Sequence, residues 1–159
     1  ELIMSISIII QSFRFSILLV FLLFCLFWTG IFANYINYYG IQEFFNPFFG
    51  NVFSAKLFFV FVVGFGIAFL VPVICKIARI VYLVALFFCF GLLFPFLGKN
   101  VGEFVLTKDR EVMIQGEKKE VYALYENRFY IVYLGDELNG EEDLAERKKK
   151  LIYYEKPES

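Results

Sequence analysis

ILLVFLLFCLFWTGIFA, residues Ile17 to Ala33, contains no charged side chain. A helix that crosses hydrocarbon needs about 20 predominantly apolar residues, and the flanks supply what this run lacks. Arg14 precedes it; Asn34, Tyr35, Asn37, Tyr38 and Tyr39 follow it. A cation that snorkels at one end and tyrosines at the other are the anchors expected where lipid meets water. The stretch reads as a first transmembrane helix over about residues 15–34. Upstream, Leu2 to Ser12 is apolar but punctuated by Ser5, Ser7, Gln11 and Ser12. It is too short to span alone and reads as an interfacial extension of the same helix. A cleaved signal peptide is disfavoured, because no Ala-x-Ala pattern follows.

Two further apolar runs lie downstream. Leu57 to Cys75, LFFVFVVGFGIAFLVPVIC, predicts a second helix over about 56–75; Ile80 to Leu97, IVYLVALFFCFGLLFPFL, predicts a third over about 79–97. Pro72 and Pro95 are expected to kink the ends of these helices, since proline removes a backbone donor. Only Lys76-Ile77-Ala78-Arg79 separates the runs, which predicts an antiparallel hairpin. Gly64 and Ala68 fit a small-xxx-small helix contact, a pattern that also recurs by chance. No Asp, Glu, Lys or Arg falls at mid-depth, which argues against a proton relay or ion path within one copy.

Composition supports this class. Of 159 residues, 60% are hydrophobic and 21% aromatic, with 23 Phe and 10 Tyr. Soluble domains are roughly 45–50% apolar, so lipid is expected to cover the excess. Charge divides the chain: residues 1–98 carry only Arg14, Lys56, Lys76 and Arg79 against Glu1 and Glu43, and every other charge lies in 99–159. The expected domains are therefore a membrane domain, 1–98, and an extramembrane β-rich domain, 99–159, joined at Gly98-Lys99-Asn100-Val101-Gly102. The fold class is a three-helix transmembrane all-α unit with a small C-terminal α+β domain.

Three crossings put the N-terminus and the Lys76–Arg79 turn on one side, and the 34–54 loop and the tail on the other. The positive-inside rule makes the basic turn cytoplasmic. Lys99, Lys108 and Arg110 pull the tail the opposite way. The short loops weigh more, so the tail is expected to be periplasmic and the location a bacterial inner membrane. Arg14, Lys56, Lys76 and Arg79 are the expected interface anchors.

From Glu103 the texture changes to short β-branched and aromatic runs: EFVLT (103–107), EVMIQ (111–115), EVYALY (120–125), RFYIVYL (128–134) and LIYYE (151–155). Glu126-Asn127 reads as the turn before the fourth run, where Asn127 can accept a left-handed conformation. Glu141 to Lys150 has acids first and bases last, as a helix dipole favours. RFYIVYL is apolar on both faces, so a partner or second copy is expected to cover it. That makes Phe129, Tyr130, Ile131, Val132 and Tyr133, with Gly64 and Ala68, the candidate interaction residues.

Chemistry is hard to find. The chain has no histidine, which removes the commonest general base and metal ligand. Cys25, Cys75 and Cys89 lie in apolar runs and read as small hydrophobes. The acidic stretch Asp136–Asp143 lacks the alternation of a calcium loop. Residues 99–159 hold eleven bases and fourteen acids, a poor footprint for nucleic acid. Neither enzyme nor cofactor is expected. The expected partners are the lipid bilayer and other membrane subunits or self-association. The leading function is an accessory or structural subunit of a bacterial membrane complex. An immunity-type protein against a membrane-active toxin and an oligomeric channel subunit are the alternatives.

Overall fold

The computed structural model describes residues 1–157; Glu158 and Ser159, the end of the expected 99–159 domain, lie outside the described residues. Among the described residues, seven α-helices, a π-helical turn and four strands follow in order. They are α1 (Leu2–Ile31), the π turn (Phe32–Ile36), α2 (Asn37–Tyr39), α3 (Phe45–Val52), α4 (Ala55–Ala68), α5 (Pro72–Gly91), α6 (Pro95–Leu106), β1 (Lys108–Ile114), β2 (Glu117–Glu126), β3 (Tyr130–Leu134), α7 (Leu144–Lys150) and β4 (Leu151–Glu155). The described chain divides into two compact units, residues 1–29 with 52–91, and residues 30–51 with 92–157.

Among the described residues, two helical stretches are long and apolar enough to cross a membrane, Leu2–Tyr39 and Pro72–Gly91. A third results if Phe45–Val52 and Ala55–Ala68 count as one broken span.

The breaks between helices differ from those expected. Lys76 to Arg79 is not a turn: α5 runs straight through it, and the interruption falls at Phe69–Val71. Proline decides the matter. It disfavours helix at the residue before it yet suits a first helical turn, where its missing N–H costs nothing. Pro72 and Pro95 thus begin α5 and α6 rather than ending the helices before them. Lysine and arginine are good helix formers, so Lys76 and Arg79 offer no reason to stop. The expected linker 98–102 is likewise helical, and so are residues 103–106 of the expected strand 103–107, all within α6; Thr107 caps the helix with extended backbone.

In the first unit, α1 and α4 are held by backbone-directed hydroxyls. Ser12 Oγ donates to the Gly66 carbonyl and Ser16 Oγ to the Val62 carbonyl, each at 2.8 Å. As the α1 number rises the α4 number falls, so the pair is antiparallel. A Cβ on Gly66 would lie 2.6 Å from the Phe13 ring, and this close approach is what brings the hydroxyls within reach. Rings of Phe21 and Phe24 meet Phe58 edge-on at 6.4 and 5.5 Å, a favoured aromatic geometry. Tyr82 on α5 donates to the Leu19 carbonyl at 2.9 Å.

In the second unit, residues that the sequence separates come together. The π turn presents Asn34 and Tyr35 to α6, whose Gly98 and Gly102 lie one helical turn apart. A Cβ on Gly98 would stand 2.7 Å from Asn34 Cβ, and one on Gly102 would stand 2.7 Å from Tyr35 Cβ. Asn34 Nδ2 donates to the Leu92 carbonyl at 2.8 Å.

The sheet is antiparallel in the order β1-β2-β3-β4. A two-residue turn, Gln115–Gly116, joins β1 to β2 with φ of 53° and 82°, the left-handed pair that a tight hairpin with matching twist requires. Val112, Ala123, Ile131 and Tyr133 form a buried cluster with Ile114, Val121 and Tyr154 around them. Tyr125 and Val132 are buried as well. The Tyr125 ring packs tilted against Phe48 at 5.8 Å, and Tyr35 Oη donates to the Leu124 carbonyl at 2.5 Å. The sheet and the 30–51 segment therefore share one core.

Candidate functional site

Asn127 organises the β2–β3 turn, and it does so without using the left-handed conformation open to it. Among non-glycine residues only Gln115 has a positive φ in the described chain. The Asn127 side chain works instead: its Oδ1 accepts from the Phe129 and Tyr130 amides at 2.8 and 2.9 Å. Its own amide donates to the Tyr130 carbonyl at 3.0 Å. Its remaining group, Nδ2, donates to Glu43 Oε2 at 2.9 Å. Both ends of the buried asparagine side chain are thus hydrogen-bonded.

Glu43 is the hub of this cluster. Tyr125 Oη donates to the same carboxylate oxygen at 3.3 Å, and Tyr130 Oη donates to the Gln42 carbonyl at 3.0 Å. Asn51 Nδ2 donates to the Glu126 carbonyl at 2.9 Å and lies 3.3 Å from Tyr125 Oη. Burial, with the nearby Glu43 charge, pushes Tyr130 up to about 12 and raises Tyr125 well above the ordinary phenol value. Both phenols therefore remain protonated donors at neutral pH. The arrangement ties the 41–44 loop to the sheet.

Around this tie lies a cavity of about 490 Å³ lined by Glu43, Pro47, Gly50, Asn51, Asn127, Arg128, Phe129 and Tyr130. Phe129 stands at its edge with 69% of its surface exposed, and Arg128 is exposed beside it, its guanidinium 5.9 Å from the Phe129 ring. On the opposite flank of the turn, Glu126 accepts from Arg110 Nε and pairs with Lys156 Nζ, both at 2.6 Å. Burial resists ionisation of Glu126, but hydrogen bonds from Lys156 and Arg110 outweigh it and hold its pKa below the usual carboxylate value.

The expected interaction residues separate into groups. Ile131, Val132 and Tyr133 are core residues, at 5%, 0% and 8% exposure. Ile131 and Tyr133 pack with Val112 and Ala123 on one face of the strand, and Val132 is buried on the other, so this chain covers all three. Tyr130 is half-buried and hydrogen-bonded; Phe129 alone of the five is open. Gly64 and Ala68 line an apolar groove of about 370 Å³ between α4 and α5, and a Cβ on Gly64 would meet nothing within 4 Å. The glycine that admits a neighbour is Gly66. Arg14, Lys56, Lys76 and Arg79 are all exposed, and none forms an ion pair among the described residues. Arg14 lies between Ser12 and Ser16, level with the last turns of α4, and Lys76 and Arg79 occupy the first turns of α5. Lys56 is at the other end of α4.

Sequence reasoning missed Glu43, Asn51 and the pair Gly98/Gly102. The glycines carry a legible signal, since GxxxG is the spacing of close helix contact. Glu43 has a weaker one, as an isolated acid in an otherwise uncharged loop. Among the described residues, no group of three or more Cys, Asp or Glu side chains could hold a metal ion. No protein-family model, curated protein or solved structure matches this chain.

Proposed function

We propose that this chain is a non-enzymatic integral membrane protein that acts as an accessory subunit of a larger membrane complex, making its contacts through the Phe129 turn. The observation that carries the membrane part is uncovered apolar surface. In the most apolar windows of Leu2–Tyr39 and Pro72–Gly91 only 22% and 17% of residues are buried. Water does not tolerate contiguous apolar patches of more than a few hundred Å²; hydrocarbon does.

Topology follows from parity. Residues 30–51 and 92–157 share one core, so the chain between them crosses an even number of times, and we take α4, with its bend, and α5 as the outgoing and returning spans. With α1 crossing once, the count is three, and the N-terminus lies opposite the sheet. Arg14, Lys76 and Arg79 then mark the cytoplasmic end, and the sheet unit is periplasmic in a bacterial inner membrane.

Phe129 supports the docking role. A large aromatic side chain held open by a locked turn, next to an exposed arginine, has the composition of an interface anchor. The test compares tagged wild-type chain with Phe129→Asp, each extracted from native membranes in mild detergent and analysed by mass spectrometry. A partner stoichiometric with wild type and lost from an equally well-extracted variant is expected. Identical partner sets for the two chains would remove the turn from the proposal.

A further inference from the structure

We propose that the cavity where the first long helix ends against α6 binds an anionic phospholipid, with Lys99 on the headgroup phosphate and Phe96 along an acyl chain. The site deepens the membrane reading above and rests on it. The cavity, about 370 Å³, is lined by Ala33, Asn34, Asn37, Tyr38, Pro95, Phe96 and Lys99. No acidic side chain is among them.

Its polar end carries positive charge. Lys99 Nζ stands 4.2 Å from the centre of the Tyr38 ring, and the Arg147 guanidinium stands 4.1 Å from the same centre. A ring face attracts one cation, but two cations on one ring repel each other. Among the described residues neither has an ion-pair partner, and Glu103, one turn along α6 from Lys99, is beyond ion-pair distance. Arg147 spends its hydrogen bonds on the Tyr38 and Glu142 carbonyls, each at 2.7 Å. The Lys99 ammonium makes no side-chain hydrogen bond in the described chain and keeps three donors for an anion. Phosphate supplies both the charge and the acceptors.

The apolar end decides between a free anion and a lipid. Phe96 is 80% exposed and Phe94 71% exposed, with Pro95 and Ala33 exposed between them and the polar end. Inorganic phosphate has no use for that surface, whereas an acyl chain covers it. Placement agrees, because Tyr38 and Asn37 close the Leu2–Tyr39 candidate span, where headgroups are found.

The test reconstitutes the full chain in nanodiscs of phosphatidylcholine with a minor share of phosphatidylglycerol and counts retained lipids by native mass spectrometry. Wild type should retain phosphatidylglycerol in preference. Lys99→Gln should lower that retention about fivefold, the worth of one cation near a charged surface. Lys99→Arg should keep it, and Lys118→Gln, on the β1–β2 hairpin, should leave it unchanged. Equal retention by wild type and Lys99→Gln, or an equal loss with Lys118→Gln, overturns the site while the membrane reading stands. Wild-type chain that stays soluble and lipid-free without detergent overturns both.

Discussion

Gly102 rests directly on Tyr35: a Cβ on the glycine would come within 2.7 Å of Tyr35 Cβ and 2.8 Å of Cγ. These atoms are anchored near the backbone and cannot swing away, so the contact fixes how closely α6 approaches the π turn. Tyr35 in turn reaches the sheet through its bond to the Leu124 carbonyl. One glycine therefore sets the spacing between a helix from late in the chain and a turn from early in it.

Gly102→Val is expected to destabilise the second unit by about 1–3 kcal/mol, the usual cost of overpacking. Gly102→Ala should lose less, because alanine regains about 1 kcal/mol of helix propensity. Gly64→Ala, where the added methyl meets open space, should be neutral or stabilising. Thermal unfolding in detergent, followed by near-ultraviolet circular dichroism, distinguishes the three. Equal shifts for Gly64→Ala and Gly102→Val would contradict the packing described.

Asn127→Ala removes the acceptor for two turn amides and a donor to Glu43. Leaving buried polar groups unpaired costs about 1–3 kcal/mol, and the loss should be local. Hydrogen exchange of the Phe129 and Tyr130 amides should accelerate by tenfold or more while β1 amides stay protected. Unchanged exchange at these two amides would show that the backbone alone holds the turn.

Acid should loosen the sheet at Glu126. Its folded pKa is depressed, so its contribution is fully present above the unfolded carboxylate value of about 4.3 and is lost as pH falls through the lower folded value. Exchange protection of β1 and β2 should therefore drop between pH 5 and pH 3, taken as a rough window around those values. Glu126→Gln, with Arg110 and Lys156 unpaired at every pH, should start lower and show a flatter response. A wild-type profile identical to that of the variant would mean the ion pairs contribute nothing.

A fragment beginning at Leu92 lacks residues 30–51 and with them Tyr35, Glu43 and Phe48. Tyr125 and Val132 would then face water, so the fragment should aggregate or unfold non-cooperatively. Sedimentation and denaturant titration would detect a soluble, cooperatively folding monomer, and that result would make the sheet independent of the 30–51 segment.

Cysteines placed at Ser54 and at Lys118, in a chain lacking Cys25, Cys75 and Cys89, should label together with an impermeant thiol reagent in intact cells. Labelling of Ser54→Cys but not Lys118→Cys would break the parity argument and with it the count of three crossings.

The sequence by itself determined the class of the chain. Uncharged apolar runs of bilayer length, a polar C-terminal third, short β-branched and aromatic runs at 111–115, 120–125 and 128–134, and the dipole-matched helix before LIYYE are local patterns, and local patterns are legible in a single sequence. Where the helices break was legible too, in Pro72 and Pro95, but the Lys76–Arg79 pair gave a competing signal that proline's missing N–H overrides. EFVLT at 103–107 was too short for its period to separate strand from helix, and packing of Gly98 and Gly102 on Asn34 and Tyr35 resolved it. The tie of Glu43 to Asn127, and the burial of Ile131, Val132 and Tyr133 by their own chain, depend on contacts between positions more than eighty residues apart in the first case and on three strands and a loop in the second. Such contacts form because each element leaves an apolar face that some other element must cover, and which element does so is decided only when all of them compete in three dimensions.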